Sequence, residues 1–341
     1  MRSPNFDDLP SPQRNKTGWP WTGDGSKLPE TTPGGRPWPL ISVITPSFNQ
    51  GRFIEETIRS VLLQGYPNLE YIIIDGGSTD KTLEIIRKYE KWISFWVSEP
   101  DEGQADAVNK GWEKANGPIL GWLNSDDIYA SGAFYAVAHA WLEASEPLMI
   151  YGDAYSTDIT LSPYKKKTMK GYSLKAMLSG KRMPQPSVFI SKKLFSELGP
   201  LNQSLYYSLD FEYFLRAWLK PNIEKYFYVP QVLAYSRRYA DTKCQSGGSQ
   251  RVEENFRILE MVWKRQLNAY HTYKEWRLAY ASSLVLLAQR YFENGSLFKG
   301  VSLLGVAFRW SSLGVWNVVK ALPRFFLKRG RGLVYKKRAK G

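Results

Sequence analysis

Apolar runs alternate with amphipathic stretches between residues 40 and 123. Four continuous apolar or β-branched runs predict buried strands: residues 40–45, 69–75, 93–98 and 118–123. Between them, three stretches space apolar side chains three and four positions apart, which predicts helices: residues 51–67, 78–90 and 104–115. Buried strands that alternate with helices are typical of a doubly wound, mainly parallel α/β sheet.

Polar turns follow three of these predicted strands. Thr45 and Pro46 end the first strand, Asp75 ends the second, and residues 124–127 (NSDD) follow the fourth. Ligands of open parallel sheets bind beyond the carboxyl ends of the strands, where the strand order reverses. We therefore expect these turns to converge on one edge of the sheet.

Asp126 and Asp127 form the most informative of these turns, because neighbouring anions repel each other and require compensation. A cation, a set of hydrogen bonds and plain solvent are the alternatives. Two carboxylates at a ligand crevice suit Mg²⁺ or Mn²⁺, which prefer oxygen ligands. The competing interpretation is a solvated turn in which Asp127 caps the next helix. His139 and His271 lie outside these motifs, so an oxygen-bound metal is expected.

The chain organisation predicts three regions. Residues 1–38 are rich in Pro, Gly and Trp and predict an extended arm on the body surface. Residues 39–250 are expected to form the main domain. Within it, strands are predicted at 151–155 and 186–191, a basic connection at 164–182 and a helix at 209–219. Residues 251–341 predict a helical appendage.

Composition and charge narrow the expected cellular location and the expected classes of partner. The 341 residues carry a net charge of +14 and a single cysteine, which cannot form an internal disulfide. The N-terminal stretch has no apolar core for a secretory signal, so a cytoplasmic location is expected. The positive charge suits nucleic acid, acidic lipid or a phosphorylated substrate.

The C-terminal end concentrates that charge. Residues 321–341 contain no acid and eight cations: Arg324, Lys328, Arg329, Arg331, Lys336, Lys337, Arg338 and Lys340. Lys299, Arg309 and Lys320 interrupt the apolar run upstream, so a spanning helix is not expected. Apolar and aromatic groups beside a polybasic end favour a segment in the interface of an anionic membrane, on the cytoplasmic face. A packed helix pair with a solvated tail is the alternative.

Residues 75–80 (DGGSTD) match neither the dinucleotide fingerprint nor the P-loop spacing. Three ordered segments nevertheless carry a family resemblance: residues 41–82, 98–129 (SEPDEGQADAVNKGWEKANGPILGWLNSDDIY) and 209–218 (LDFEYFLRAW). Over residues 40 to 240 the chain resembles the family 2 glycosyltransferases with the Rossmann-like GT-A fold. The resemblance implies inverting transfer of a sugar from a nucleotide-diphosphate sugar to the hydroxyl of a glycan or lipid-linked sugar, in polysaccharide or glycolipid biosynthesis.

The resemblance also implies that residues 39–130 form a nucleotide-sugar-binding half and residues 131–250 an acceptor-binding half, and it implies residue roles. Asp210 matches the catalytic base, and Asp126 with Asp127 match the DxD-type motif, whose Mn²⁺ or Mg²⁺ bridges the donor diphosphate. A larger set matches the nucleotide-sugar site: Thr45, Pro46, Phe48, Asn49, Asp75, Gly76, Gln104, Asn109, Ser125 and Asp126. Gln185 and Glu212 are expected on the acceptor side. The alternative for Asp210 is a helix N-cap, and for Gln104 and Asn109 ordinary helix surface.

The chain departs from the family pattern at three positions. Gly76 and Asn124 stand where relatives often have aspartate, and Tyr239 stands where many have histidine. Arg237, Arg238 or Lys243 could meet the diphosphate instead. These departures keep a non-catalytic nucleotide- or sugar-binding protein as the alternative function. A nucleic-acid-binding protein is less favoured, because it does not explain acidic turns on a sheet edge.

Overall fold

The computed structural model describes residues 4–12, 16–22, 27–178, 180–265, 273–293 and 296–310. Two units divide the chain: residues 1–173 with 182–246 make unit 1, and residues 174–181 with 247–341 make unit 2. The strands all belong to unit 1: β1 (Ile41–Ser47), β2 (Leu69–Asp75), β3 (Phe95–Ser98), β4 (Ile119–Trp122), β5 (Ile128–Tyr129), β6 (Met149–Thr157), β7 (Pro163–Lys167), β8 (Val188–Ser191) and β9 (Tyr226–Arg237).

The α-helices of the described residues follow in chain order: α1 (Ile54–Leu62), α2 (Thr82–Lys88), α3 (Gln104–Lys114), α4 (Ala133–Glu143), α5 (Leu174–Leu178), α6 (Lys192–Leu198), α7 (Leu209–Trp218), α8 (Lys243–Ser246), α9 (Gly248–Arg265), α10 (Tyr273–Glu293) and α11 (Leu297–Trp310). Helices α5 and α9 to α11 belong to unit 2. Every helix predicted in residues 51–115 and 209–219 is present.

The first half of the sheet matches the prediction. Its strand order is β3-β2-β1-β4, and all three pairings are parallel. The register sets Ser47, Asp75 and Ser98 side by side, so the carboxyl ends of β1, β2 and β3 are level. Both faces are covered by helices, and β1 is buried along its whole length.

Close packing of α3 on β1 depends on one glycine. A Cβ at Gly111 would lie 2.4 Å from Cγ2 of Ile44, so only glycine lets the helix approach the strand this closely. On the other face, α1 buries the predicted residues Ile54, Ile58 and Val61 completely. Full burial of each such side chain contributes about 1.5–3 kcal/mol relative to exposure.

The second half of the sheet is mixed, and there the sequence prediction was incomplete. The strand order continues from β4 as β8-β6-β9-β5, and β7 pairs with β6 outside this order. Strand β8 is antiparallel to both β4 and β6. Residues 163–167, predicted as part of a connection, form β7. Strand β9 was not predicted, because Pro230 interrupts its apolar run. The register of β6 and β9 shifts beside Pro230, which lacks the N–H that a regular ladder needs.

Residues of the N-terminal arm pack on unit 1. Trp21 and Trp38 are each 3% exposed, and Leu9 belongs to the main core. Trp38 donates from Nε1 to the carbonyl oxygen of Pro29 at 2.9 Å, and its ring meets Tyr66 edge-on. The arm therefore buries apolar surface along defined contacts.

Unit 2 has a small core of its own around Leu284, Val285 and Ala307, to which α10 and α11 contribute. The opposite face of α11 is apolar and exposed: Phe298 is 88% exposed, and Val301 and Phe308 are also exposed. No helix of the described residues is long and apolar enough to span a bilayer. The basic tail at 321–341 lies outside the described residues.

Candidate active site

A cleft of about 420 Å³ opens in unit 1 beyond the carboxyl ends of β1 and β4. The start of α3, the start of α7 and the residues after β9 complete its walls. Eight of the residues predicted for the site line it: Pro46, Phe48, Gln104, Ser125, Asp126, Asp127, Gln185 and Asp210. The predicted edge of the sheet is therefore where the structure places the largest part of the candidate site.

The acid pair lies in this cleft. Asp126 is half-buried and accepts a hydrogen bond on Oδ2 from the hydroxyl of Tyr239 at 3.0 Å. Asp127 is 4% exposed and accepts the backbone N–H of Arg237 on Oδ1 at 2.8 Å. Strand β5 follows Asp127 directly, so this residue does not cap a helix.

Two other elements hold the backbone of the pair. The Thr57 hydroxyl, on α1, lies 3.0 Å from the carbonyl oxygen of Ser125 and 2.7 Å from that of Asp127. The guanidinium of Arg237, at the end of β9, donates to the carbonyl oxygen of Asp126. Helix α1 and strand β9 thus fix the loop that carries both carboxylates.

The positive charges near the acid pair do not fully compensate the burial of its carboxylates. Burial raises the pKa of Asp126, although the Tyr239 hydroxyl and the Arg237 charge act against it. Burial, together with the charge of Asp126, also raises the pKa of Asp127. Carboxylates whose ionised form is disfavoured in this way gain stability from a bound cation.

A divalent metal fits this donor set. Within the described residues, no group of three or more histidine, cysteine or acidic side chains gathers at one point. Mg²⁺ and similar hard cations are commonly held by one or two carboxylates, with phosphate oxygens of a substrate as further ligands. The raised pKa values of Asp126 and Asp127 are the observation of this structure that agrees with such a ligand set.

Asp210 stands in the first turn of α7 and faces the same cleft. Its Oδ1 accepts the backbone N–H of Phe211 at 2.8 Å, and Ser208 occupies the N-cap position, so Asp210 is not the cap. Burial raises the pKa of Asp210, with the charge of Arg182 opposing this effect. A half-buried carboxylate with a raised pKa has the properties expected of a general base near neutral pH.

Six predicted residues do not line the cleft: Thr45, Asn49, Asp75, Gly76, Asn109 and Glu212. Thr45 is buried and accepts from the Tyr71 hydroxyl at 3.2 Å. Asn109 exchanges two hydrogen bonds with the backbone of Leu201. Glu212 is buried against the Arg216 guanidinium, at 2.8 Å from its Nε. For these three side chains the structure gives a packing or backbone-holding contact.

Asp75 and Asn49 tie the turns after β1 and β2 together. Asp75 accepts from the backbone and hydroxyl of Ser78 at 2.8 and 2.6 Å and from the hydroxyl of Ser98 at 2.7 Å. Asn49 accepts the backbone N–H of Thr79 at 2.9 Å. Both Asp75 oxygens are therefore engaged with serines, and its predicted contact with a base remains a prediction.

A carboxylate not predicted for the site, Asp101, lines the cleft beside Gly76. A Cβ at Gly76 would lie 2.7 Å from Oδ2 of Asp101, and Oδ1 of Asp101 accepts the backbone N–H of Gly103 at 2.8 Å. The signal was available, since Asp101 belongs to the second segment of the resemblance, "SEPDEGQAD". The Asp101 side chain can occupy this position because Gly76 has no side chain.

A chain of polar contacts crosses the cleft at Gln104. Its Nε2 donates to Oδ1 of Asn124 at 2.7 Å, and its Oε1 accepts from Lys243 at 3.1 Å. Trp122 donates to the same Asn124 oxygen at 2.9 Å. Lys243 also lies 4.0 Å from the ring centre of Tyr206, at the mouth of the cleft. The three cations considered for the diphosphate, Arg237, Arg238 and Lys243, all line the cleft, but the Arg237 side chain is completely buried and bonded to protein groups.

Gln185 offers an acceptor atom without a partner among the described residues. Its Nε2 donates to the carbonyl oxygen of Trp122 at 2.5 Å, which orients the amide. Its Oε1 is buried and receives no hydrogen bond within the described chain. A buried acceptor left without a donor is costly, so a ligand hydroxyl at this position would satisfy it.

Solved structures share this architecture. S. aureus TarS 1-349 in complex with UDP-GlcNAc superposes with a TM-score of 0.56 at 14% identity, covering 78% of this chain and 90% of that chain. Mannosyltransferase PcManGT from Pyrobaculum calidifontis, in complex with GDP-Man and Mn²⁺, gives 0.53 at 16% identity, covering 86% and 84%. At such identities the likeness concerns the fold, which is the GT-A fold of glycosyltransferases.

Sequence comparison identifies the family. The model described as glycosyl transferase family 2 matches residues 42–194. An uncharacterized glycosyltransferase of Mycobacterium tuberculosis (strain CDC 1551 / Oshkosh) is 32% identical over 184 residues, 53% of this chain and 70% of the relative. The putative teichuronic acid biosynthesis glycosyltransferase TuaG of Bacillus subtilis (strain 168) is 47% identical over 92 residues, 26% of this chain and 36% of the relative. The chain belongs to glycosyl transferase family 2 and to the glycosyltransferase class of enzymes.

Proposed function

We propose that this glycosyltransferase moves a sugar from a nucleotide-diphosphate sugar to an acceptor hydroxyl, with inversion at the anomeric carbon. The observation that carries the proposal is a cleft shared by an exposed aromatic side chain, an acid pair and a separate carboxylate: Phe48, Asp126 with Asp127, and Asp210. In this proposal the nucleotide base contacts Phe48, the diphosphate is bound beside the acid pair, and the acceptor hydroxyl meets Asp210. TarS with UDP-GlcNAc and PcManGT with GDP-Man support the donor class by fold.

On the donor side, the nucleotide base lies against Phe48, whose side chain is 59% exposed at the end of β1. The diphosphate lies in the space beside Asp126 and Asp127, which would hold a divalent metal, Mn²⁺ or Mg²⁺. When bound, this metal stabilises the negative charge that develops on the leaving nucleoside diphosphate. Arg238 and Lys243 border the same space and add positive charge to it. PcManGT, which was solved with Mn²⁺, supports the choice of metal.

Asp210 acts as the base. The acceptor oxygen attacks the anomeric carbon as its proton passes to the Asp210 carboxylate, and the bond from that carbon to the diphosphate oxygen breaks. The nucleoside diphosphate leaves with the bonding electron pair. Attack from the side opposite the leaving group accounts for inversion. The raised pKa of Asp210 favours uptake of the proton.

The acceptor is a glycan or lipid-linked sugar, and the product belongs to a cell-surface polysaccharide or glycolipid. Gln185 supports a sugar ligand, because its free acceptor oxygen suits a hydroxyl. Tyr206 and Tyr207, whose rings lie 4.8 Å apart at the cleft, supply aromatic surface of the kind that sugars stack on. The relative TuaG, named for teichuronic acid biosynthesis, supports the polysaccharide class.

We further propose that unit 2 attaches the enzyme to the cytoplasmic face of an anionic membrane. Phe298, Val301 and Phe308 form an exposed apolar face on α11. From residue 294 to 341 the sequence contains cations but no acid. Apolar side chains next to excess positive charge are typical of interfacial membrane binding. Co-sedimentation with vesicles containing phosphatidylglycerol, lost in Phe298→Ser/Phe308→Ser, tests this attachment, and equal binding to neutral vesicles would contradict it.

The experiment for the main proposal is a thermal-shift screen of nucleoside diphosphates and their sugars, with and without Mn²⁺, on wild type and Asp210→Asn. A ligand of the native state raises the melting temperature. We expect a Mn²⁺-dependent rise of the melting temperature in both proteins. In a separate assay of donor turnover, wild type should be active and the variant about 100-fold or more slower. Full turnover in Asp210→Asn would refute the base assignment. Nucleotide binding without any turnover in wild type would favour the alternative, a non-catalytic nucleotide- or sugar-binding protein.

A further inference from the structure

Glu56, at the start of α1, connects the N-terminal arm to the end of β9. Its Oε1 accepts from Lys16 Nζ at 2.7 Å and from Trp21 Nε1 at 2.9 Å, both on the arm. Its Oε2 is paired with the guanidinium of Arg237. The carboxylate is mostly buried, and the Arg237 side chain is completely buried. One carboxylate therefore links two chain segments that are more than 200 residues apart in sequence.

Arg237 in turn contacts both members of the acid pair. Its guanidinium donates to the carbonyl oxygen of Asp126, and its backbone N–H donates to Oδ1 of Asp127 at 2.8 Å. A third bond from Nε, to the carbonyl oxygen of Ile159 at 3.3 Å, completes its surroundings. A shift of Arg237 would therefore move the carboxylates that face the cleft.

The charge of Glu56 is kept by its partners. Burial acts to raise the pKa of Glu56, but Arg237, Lys16 and Trp21 outweigh burial and lower it. Breaking a buried ion pair by removing one partner is far more disruptive than losing a surface pair, because a charge remains buried without compensation. Lys16 and Trp21 hold the oxygen that Arg237 does not take, so they determine how firmly Glu56 is held.

The arm has a second anchor that is independent of Glu56. One turn along α1, buried Arg59 donates from Nε to the carbonyl oxygen of Pro20 at 3.1 Å and from its terminal nitrogen to that of Pro10 at 2.9 Å. These bonds use arm carbonyls and no arm side chain. Replacing Lys16 by methionine and Trp21 by phenylalanine therefore removes the hydrogen bonds to Glu56, keeps a ring beside the Arg59 guanidinium, and leaves the bonds to Pro20 and Pro10 to hold the arm on α1.

We propose that the N-terminal arm is a positioning element of the donor site. Lys16 and Trp21 fix Glu56, Glu56 fixes Arg237, and Arg237 fixes the acid pair in the geometry that holds the metal and the diphosphate. This inference rests on the proposed function, because it assigns the arm to the metal- and diphosphate-binding side of the same cleft. Partners that orient metal ligands from outside the ligand set commonly change metal affinity or activity 10- to 100-fold when they are replaced.

The test compares wild type with Lys16→Met/Trp21→Phe. The readout is the Mn²⁺ concentration that gives half of the maximal thermal stabilisation by UDP or GDP. We expect the double variant to require about tenfold more Mn²⁺. Trp38→Phe is the control, because it removes another indole hydrogen bond of the arm, to the carbonyl oxygen of Pro29, that does not involve Glu56. The control should keep the wild-type Mn²⁺ requirement, as should Lys16→Arg, which retains the charge.

Each outcome decides the proposal. A Mn²⁺ requirement within about twofold of wild type in the double variant, with nucleotide binding intact, would overturn the positioning role and leave the proposed function standing. Absence of any nucleotide response in wild type would overturn both. If the double variant does not fold, Lys16→Met alone, at a half-exposed residue, must raise the Mn²⁺ requirement in the same direction for the inference to hold.

Discussion

The acid pair, Asp126 with Asp127, and the separate carboxylate Asp210 are held in the cleft in different ways. Asp126 and Asp127 are fixed by Thr57 from α1, by Arg237 from β9 and by the hydroxyl of Tyr239. Asp210 accepts the N–H of its own neighbour Phe211 and has the charge of Arg182 nearby. A diphosphate and a metal need fixed ligands, whereas an acceptor must enter and leave beside the base. Under the proposed function, the difference corresponds to a preorganised donor side and an acceptor side held by fewer contacts.

Substitution within the acid pair should have the largest effect. Asp126→Asn keeps a hydrogen-bonding oxygen for Tyr239 but loses the charge, and we expect the Mn²⁺ dependence of nucleotide binding to weaken about 100-fold. Asp127→Asn should lose affinity too, and should also lower the melting temperature, because Asp127 holds the end of β9. Titration of Mn²⁺ by calorimetry at fixed nucleotide measures the first effect. Unchanged Mn²⁺ affinity in both variants would show that the pair holds no metal.

A packing change in the first half of the sheet should come next. Gly111→Ala places a methyl group 2.4 Å from Ile44, and overpacking of this kind costs about 1–3 kcal/mol. Better helix propensity of alanine recovers at most about 1 kcal/mol. The melting temperature should therefore fall, and it should not fall in the control Gly34→Ala, whose nearest neighbour is 4.0 Å away. Equal stability of the two variants would contradict the close packing of α3 on β1.

Loss of the exposed aromatic at the donor side should have a moderate effect. Phe48→Ala removes a stacking surface for the base, and we expect nucleotide affinity to fall about tenfold, since stacking on an aromatic is worth about 1–3 kcal/mol. The melting temperature should not change, because Phe48 is exposed. Tyr164→Ala, at an equally exposed ring on β7, is the control. Equal nucleotide affinity of wild type and Phe48→Ala would exclude the stacking contact.

The smallest expected effect is on the pH dependence of activity, through the proposed base Asp210. The pKa of Asp210 is raised by burial, so its reactive, ionised form is lost as the pH falls through a value above the ordinary one. Arg182 opposes this rise, and Arg182→Gln should move the acidic limb of the kcat/KM profile to higher pH by less than about one unit. Lys220→Gln, which removes a surface pair with Glu197, should leave the limb in place. A shift to lower pH would contradict the role of Arg182.

The sequence predicted the first half of the fold better than the second, for a physical reason. Parallel strands buried on both faces give continuous apolar runs, and β1, β2 and β4 show them plainly. Strand β9 has no regular alternation of buried and exposed residues around Pro230, and β7 lies at an edge, is mostly exposed and contains three lysines. Local periodicity is weak in such strands, because long-range pairing decides their structure.

The site was predictable where its residues lie at the end of a strand or in the loop after it, as Pro46, Ser125 and Asp127 do. Asn109 does not line the cleft, and helical spacing does not reveal that its amide bonds to the backbone of Leu201. Asp101 and the contacts of Arg237 with the acid pair were missed for a different reason. Both depend on which loops meet in space, which no short sequence window contains.

Gly76 and Asp101 have an evolutionary consequence. An aspartate in place of Gly76 would put its Cβ 2.7 Å from Oδ2 of Asp101, so the Asp101 side chain would have to shift to admit it. We therefore expect the effects of substitutions at positions 76 and 101 to depend on each other. A negative charge in this corner of the cleft can thus be supplied by either loop, so motif matching at position 76 alone underestimates the acidity of the site.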